Sequence, residues 1–182
     1  MNIRSNEQLI DYVNYGNNVK YVFFWGHQKS NKGLSKTCFS QWYESSFELD
    51  GVIYQTAEHY MMSEKAKLFG DAEIALKIIA ANNPGEAKKL GRLVKNYNEE
   101  IWLQHRFDIV VKANTLKFSQ NDELKEFLLN TGSKILVEAS PVDNIWGIGL
   151  ASDNPSIENP NLWKGLNLLG YALMEVRERL VD

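Results

Sequence analysis

Two short segments of this chain combine residue types that can do chemistry. The first is Thr56-Ala57-Glu58-His59-Tyr60-Met61-Met62-Ser63-Glu64-Lys65-Ala66, directly after a β-rich run. Helical spacing puts Glu58, Met62 and Lys65 on one face, at i, i+4 and i+7. Glu58 falls in the first turn, where free N–H groups and the helix dipole favour an ionised carboxylate. Such a group suits a general base or a nucleophile. It equally suits a helix start chosen for stability, and Lys65 equally suits a simple ion pair. The second segment is Ser140-Pro141-Val142-Asp143-Asn144-Ile145-Trp146-Gly147-Ile148-Gly149. Asp143 can bind hydroxyls or move protons, Trp146 offers a flat face, and Gly147 lets a backbone approach a ligand. The same residues also make an ordinary turn, with Asp143 accepting local N–H groups and Trp146 filling the core.

Weaker signals surround these two. Gly91-Arg92 after Lys88-Lys89 could meet a phosphate or form a solvated basic helix face. His27, His59 and His105 have no metal-ligand spacing, so no metal site is expected. Cys38 is the only cysteine, which excludes an internal disulfide and a cysteine zinc cluster. It reads as buried packing in a reducing, cytoplasmic setting. Neither a phosphate-cradling Walker loop nor a Gly-x-Gly-x-x-Gly fingerprint is present, which argues against the usual nucleotide folds.

The elements that must position these residues are readable from local rules. Ser5 and Gln8 have capping-box spacing, so a helix is expected as far as Tyr15. Tyr21-Val22-Phe23-Phe24-Trp25 reads as a strand buried on both faces, and Gly26 to Thr37 as a loop. Phe47–Leu49 and Val52–Tyr54 around Asp50-Gly51 read as a hairpin with a tight turn. Helices are expected from Thr56 to Leu68, then from Asp71 through Ala80. Asn83-Pro84-Gly85-Glu86 opens another: a cap, proline at the first helical position, and an acid three residues past the cap. A long helix after Asn98 carries Leu103, Phe107, Val110, Val111, Asn114 and Phe118 on one face. Asp122 to Asn130 forms a short helix, with Gly132 near its end. Ile135 to Ala139 forms a strand. The last helix lines up Leu162, Leu166, Leu169, Leu173, Val176 and Leu180.

The fold class is therefore α+β, mostly helices around a small β-sheet. No repeat or Pro/Gly/Ser linker divides the chain, so residues 1–182 read as one domain. A net charge of -3 gives no long-range pull toward nucleic acid. The start lacks an apolar run behind a positive end, and no apolar stretch reaches about 18 residues, so neither a signal peptide nor a transmembrane helix is expected.

In the two chemical segments the sequence resembles the YbiA-like superfamily, also called NADAR for NAD and ADP-ribose. The likeness runs from Tyr21 to about Leu180, and its landmarks come in order. They are Phe39-Ser40-Gln41-Trp42, Ala57-Glu58-His59-Tyr60-Met61-Met62 with Lys65-Ala66, Gly91-Arg92, Trp102, Asp143 to Gly149, and Leu168-Leu169-Gly170-Tyr171-Ala172-Leu173-Met174. Gln41 departs from the Asn or Pro of many relatives, and Phe24-Trp25-Gly26-His27 is subgroup-specific. The resemblance implies a YbiA-like fold and N-glycosidase activity without a metal or cofactor. Glu58, Asp143 and Trp102 fall on the family's catalytic positions. Trp146, Lys65, Arg92, Gly147, His27 and Trp42 are the implied substrate-binding residues. The implied substrate is a ribosylamino-pyrimidine phosphate of riboflavin biosynthesis. The alternatives are ADP-ribose removed from guanine, with nucleic acid entering only as an ADP-ribosylated substrate, and a module that binds ADP-ribose without turnover.

A first expected outcome follows from the ligand count. Dialysis against a strong chelator should leave hydrolysis intact. Activity that is lost on chelation and returns with zinc or magnesium would reveal a metal site missed by this reading.

Overall fold

A computed structural model describes residues 3–181. In chain order the elements are α1 (Asn6–Asn14), β1 (Tyr21–Phe24), β2 (Phe47–Leu49), β3 (Val52–Tyr54), α2 (Ala57–Leu68), α3 (Ala72–Ile79), α4 (Pro84–Gly91), α5 (Glu99–Ser119), α6 (Asp122–Leu129), β4 (Ile135–Glu138) and α7 (Leu168–Arg179). The class is α+β, as expected. The chain gathers into two compact units: Gln41–Asp122, and the stretches up to Ser40 and from Glu123 onward. The expected small sheet is two separate two-stranded pairings, one in each unit. Among the described residues no helix is long and apolar enough to cross a membrane.

In the Gln41–Asp122 unit, local signals set most of the boundaries. Asp50 and Gly51 both have positive φ (53° and 79°), the geometry of a type I′ turn, and they register Phe47 opposite Tyr54. Phe47, Tyr54 and Tyr60 then form an aromatic cluster with ring centroids 5.0–6.0 Å apart, packed with Ala57 and Ala113. The cluster lays the hairpin on the start of α2 and on α5. From Ala57 to Ser63 every residue of α2 is buried, because α3, α4 and α5 all pack on this helix. α4 approaches closely at Gly91, where a Cβ would have to displace the Met62 side chain. On α5 the buried face is Trp102, Val110, Val111, Ala113, Asn114, Lys117 and Phe118. Leu103, expected on that face, is 47% exposed.

In the other unit β1 pairs in parallel with β4, Tyr21 opposite Ile135 and Phe24 opposite Glu138. Burial is concentrated in β4, so the expectation that β1 is buried on both faces fails. Phe24 is buried, but Trp25 lies beyond the strand and is 53% exposed. The expected leucine stripe is also corrected. Leu162 and Leu166 precede α7 and are exposed, because Asn167 takes a left-handed conformation (φ 53°) that starts the helix only at Leu168. Asn167 is fully buried and ties three segments together. Its Oδ1 accepts from Glu138 N–H, its Nδ2 donates to Leu136 O, and its own N–H donates to Gly147 O.

α7 lies so close to β4 that a Cβ on Gly170 would come within 2.1 Å of Leu136 O and 2.6 Å of the Asn167 amide. Both obstacles are held by hydrogen bonds and cannot yield cheaply. Gly170→Ala should therefore destabilise the protein by more than about 3 kcal/mol, the upper end for overpacking. Denaturant midpoints of the two proteins measure this, and a loss under about 1 kcal/mol would show that α7 can shift.

Candidate active site

Glu58 is built into the start of α2 by two non-helical residues. Thr56, in extended conformation, is the N-cap and its side chain accepts from His59 N–H. Glu58 N–H is one of the donors a helix start leaves without an intrahelical acceptor. It donates instead to the backbone carbonyl of Gln41, at 3.0 Å. Glu58 is only 3% exposed. A carboxylate buried in the first turn of a helix that is itself buried is more than a surface charge chosen for helix stability. The next residue is structural. His59 is fully buried, with Nε2 3.1 Å from Ala81 O and Nδ1 2.8 Å from Thr56 Oγ1. A carbonyl can only accept, so Nε2 carries the proton and the Thr56 hydroxyl donates to Nδ1. Burial holds the ring's pKa below its ordinary value, only partly offset by the bond to Ala81 and the charge of Glu86.

Two turns along, Lys65 donates from Nζ to Gly91 O at 2.9 Å, at the C-terminal end of α4, where a cation is favourable. The ammonium lies 4.4 Å from the Tyr97 ring centroid and 5.7 Å from that of Trp102. Burial lowers its pKa, the Arg92 charge lowers it further, and Glu58 pulls the other way. Glu58, Lys65 and Arg92 therefore share one electrostatic neighbourhood, with Trp102 buried beside it on α5 and Arg92 exposed just past α4. Trp42 is half-buried, with Lys88 Nζ 5.8 Å from its ring centroid and Gly85 against its edge. Of the expected site residues, this unit carries Trp42, Glu58, Lys65, Arg92 and Trp102.

The other unit carries His27, Asp143, Trp146 and Gly147. Asp143 Oδ1 accepts from the N–H groups of Ile145 and Trp146, both at 2.8 Å, so the aspartate shapes its own turn. That turn serves as the cap of α7: Leu168 N–H donates to Ile145 O and Leu169 N–H to Trp146 O. Gly147 is spent on packing, since a Cβ there would stand 2.9 Å from Glu138 O. Trp146 is half-buried, and His27 sits on a partly exposed loop with Nε2 3.3 Å from Gln28 Nε2.

Sequence reasoning missed Tyr97, which the lysine covers, and Asn114, whose amide holds the Gln41 side chain. A tyrosine in a polar run and an asparagine on a helix face give no local sign of either role. Among the described residues no group of three His, Cys, Asp or Glu is placed to hold a metal ion.

The chain belongs to the NADAR domain family. The profile of the NADAR domain matches residues 23–181. N-glycosidase R617 of Acanthamoeba polyphaga mimivirus is 48% identical over 164 residues, which cover 87% of this chain and 95% of the viral protein. Protein irg-1 of Caenorhabditis elegans is 38% identical, covering 78% of this chain and 74% of its own length. N-glycosidase YbiA of Escherichia coli (strain K12) is 32% identical over 78% of this chain and 80% of its own. The NMR structure of E. coli YbiA superposes with a TM-score of 0.70 at 29% identity, covering 88% of this chain and 84% of that one.

The lowered pKa of His59 has a consequence for stability. Above the ordinary histidine value of 6.5 both folded and unfolded chains are neutral at this residue and its contribution is complete. As pH falls below that value the unfolded chain takes up a proton that the folded one refuses, so stability drops until the folded-state pKa is passed. Denaturant midpoints should therefore decline from about pH 7 toward about pH 5. The decline should flatten in His59→Gln. An equally steep decline in that variant would assign the effect to other groups.

Proposed function

The chain is an N-glycosidase of the NADAR domain family, and from that premise we propose that it hydrolyses the ribose–nitrogen bond of a ribosylamino-pyrimidine phosphate of riboflavin biosynthesis, in the cytoplasm. The observation that carries this reading is the buried Glu58 on α2 two turns before Lys65, whose ammonium is held by the carbonyl of Gly91, the residue before Arg92. The arrangement supplies a carboxylate for a sugar that becomes cationic and two cations for a phosphate.

Cleaving an N-glycoside builds positive charge on the ribose ring as the base departs. In this reading Glu58 stabilises that charge or takes a proton from the attacking water. Burial favours both roles, because a carboxylate removed from water interacts more strongly with a nearby cation. Lys65 and Arg92 neutralise the phosphate, with Arg92 exposed and able to present its fork of donors to two oxygens. Trp102 belongs to the same catalytic group, and Trp42 offers a face for the base. The roles proposed for the other unit rest on the family resemblance. Asp143 binds ribose or assists proton transfer to the leaving nitrogen, Trp146 stacks on the base, and Gly147 and His27 complete the substrate contacts.

The test is a panel of a pyrimidine riboside phosphate, its unphosphorylated form and ADP-ribosylated guanine, assayed for free ribose phosphate, free base and free ADP-ribose. Turnover of the first with little of the third supports the proposed substrate, and the reverse pattern replaces it. Glu58→Gln should lower kcat at least about a hundredfold, with melting temperature and ligand binding little changed. Near-normal turnover would remove Glu58 from the mechanism. Arg92→Ala should raise KM for the phosphorylated riboside alone, and equal damage to both ribosides would make Arg92 structural.

A further inference from the structure

Beneath Glu58 lies a pair of amides that packing alone does not explain. Gln41 is 6% exposed, and its backbone carbonyl is the acceptor for Glu58 N–H. Its side chain reaches α5, where Oε1 accepts from Asn114 Nδ2 at 2.7 Å. Asn114 is fully buried, and the same Nδ2 also donates to Val110 O at 2.9 Å, one turn back. Only an amino group can face the Val110 carbonyl, so the Asn114 amide has one orientation, and this in turn points Gln41 Oε1 toward it. What remains is a donor, Gln41 Nε2, and an acceptor, Asn114 Oδ1. Both are buried and neither has a hydrogen-bond partner among the described residues.

Two buried polar atoms without partners are an expense that an apolar pair of the same shape would avoid. Stability therefore gives no reason for amides at these positions. What they do provide is direction. The side-chain bond fixes Gln41 against the long helix α5, and the carbonyl of the same residue fixes the first turn of α2. We infer that Gln41 and Asn114 are positioning residues for Glu58, an inference that rests on the catalytic role proposed above for that carboxylate. They hold the helix start so that the carboxylate leaves it in one direction. Neither is required to touch the substrate.

The test removes both amides at nearly constant volume, in the double variant Gln41→Met/Asn114→Leu. Its thermal midpoint should equal or exceed that of the wild type, because two unpaired polar atoms are gone. Turnover should move the other way, with kcat at least about tenfold lower and KM within about threefold, the pattern of a misaligned group that acts in the transition state. Hydrogen exchange at the Glu58 amide should accelerate at least about tenfold relative to the amides of Met62 to Ala66. If the double variant does not fold, Asn114→Ala replaces it with the same measurements, since alanine suits a helix interior. Unchanged protection of the Glu58 amide overturns the inference, and so does faster exchange with normal kcat. The exchange measurement uses no substrate. A wild type that turns over nothing in the panel would sink the proposed substrate, and unchanged exchange would separately overturn the hold of the amide pair on the helix start.

Discussion

The hydrogen bond from Glu58 N–H to the Gln41 carbonyl is the contact on which the Gln41–Asp122 unit turns. A helix start leaves its first N–H groups without intrahelical acceptors, and at the surface water supplies what is missing. Here the start of α2 is buried on every side, so acceptors must come from the chain. Thr56 provides one through its side chain, and Gln41 provides another through its backbone. Each has a further tie: Thr56 to the His59 ring, whose far side reaches Ala81, and Gln41 to Asn114 on α5. The result is a helix start that is both desolvated and fixed, two conditions that solvent-exposed helix starts do not meet.

The positive charges around Glu58 follow from the same crowding. Gly91 allows α4 to settle against Met62, and this brings the α4 C-terminus to the Lys65 ammonium. A half-buried lysine is costly unless its charge is met, and here a carbonyl, the Tyr97 ring and Glu58 meet it together. Arg92, the residue after Gly91, opposes Lys65 electrostatically. Two cations held close with one acid nearby form an environment that an added anion would relieve.

The second unit solves a backbone problem of a different kind. Asn167, in a left-handed conformation, stands where β4, the turn after Asp143 and α7 meet, and it bonds to all three. Around it, glycines at 147, 165 and 170 admit backbone contacts that a Cβ would block. The chemical residue types of the 140–149 loop thus serve first as architecture: Asp143 closes its own turn, and the turn's carbonyls receive the first N–H groups of α7.

The caps and turns of this protein were legible because they obey rules acting over three or four residues. Ser5, Thr56, Asn83 and Asn98 each accept from the amide three positions on, and Asp50-Gly51 closes its hairpin as such pairs do. The family motifs were legible for a related reason, since side chains that share a task stand in fixed order along the chain. Periodicity misled where a backbone event interrupts it. Leu162 and Leu166 keep helical spacing with Leu169 but fall before the left-handed Asn167, and Trp25 continues a β-rich run past the strand's last pairing. Other features had no local sign at all. β1 finds β4 across more than a hundred intervening residues, and Gln41 meets Asn114 at a separation of 73 positions. Such pairings depend on which surfaces remain to be covered once helices and hairpin exist, and burial is a property of the assembled chain. The sequence by itself determined the residue types, the side-chain-capped helix starts and the reaction class. Tertiary structure alone decided that Glu58 is buried rather than solvated, that Lys65 lies against Gly91 and Tyr97, and that an amide pair from two distant segments backs the carbonyl that receives the Glu58 N–H.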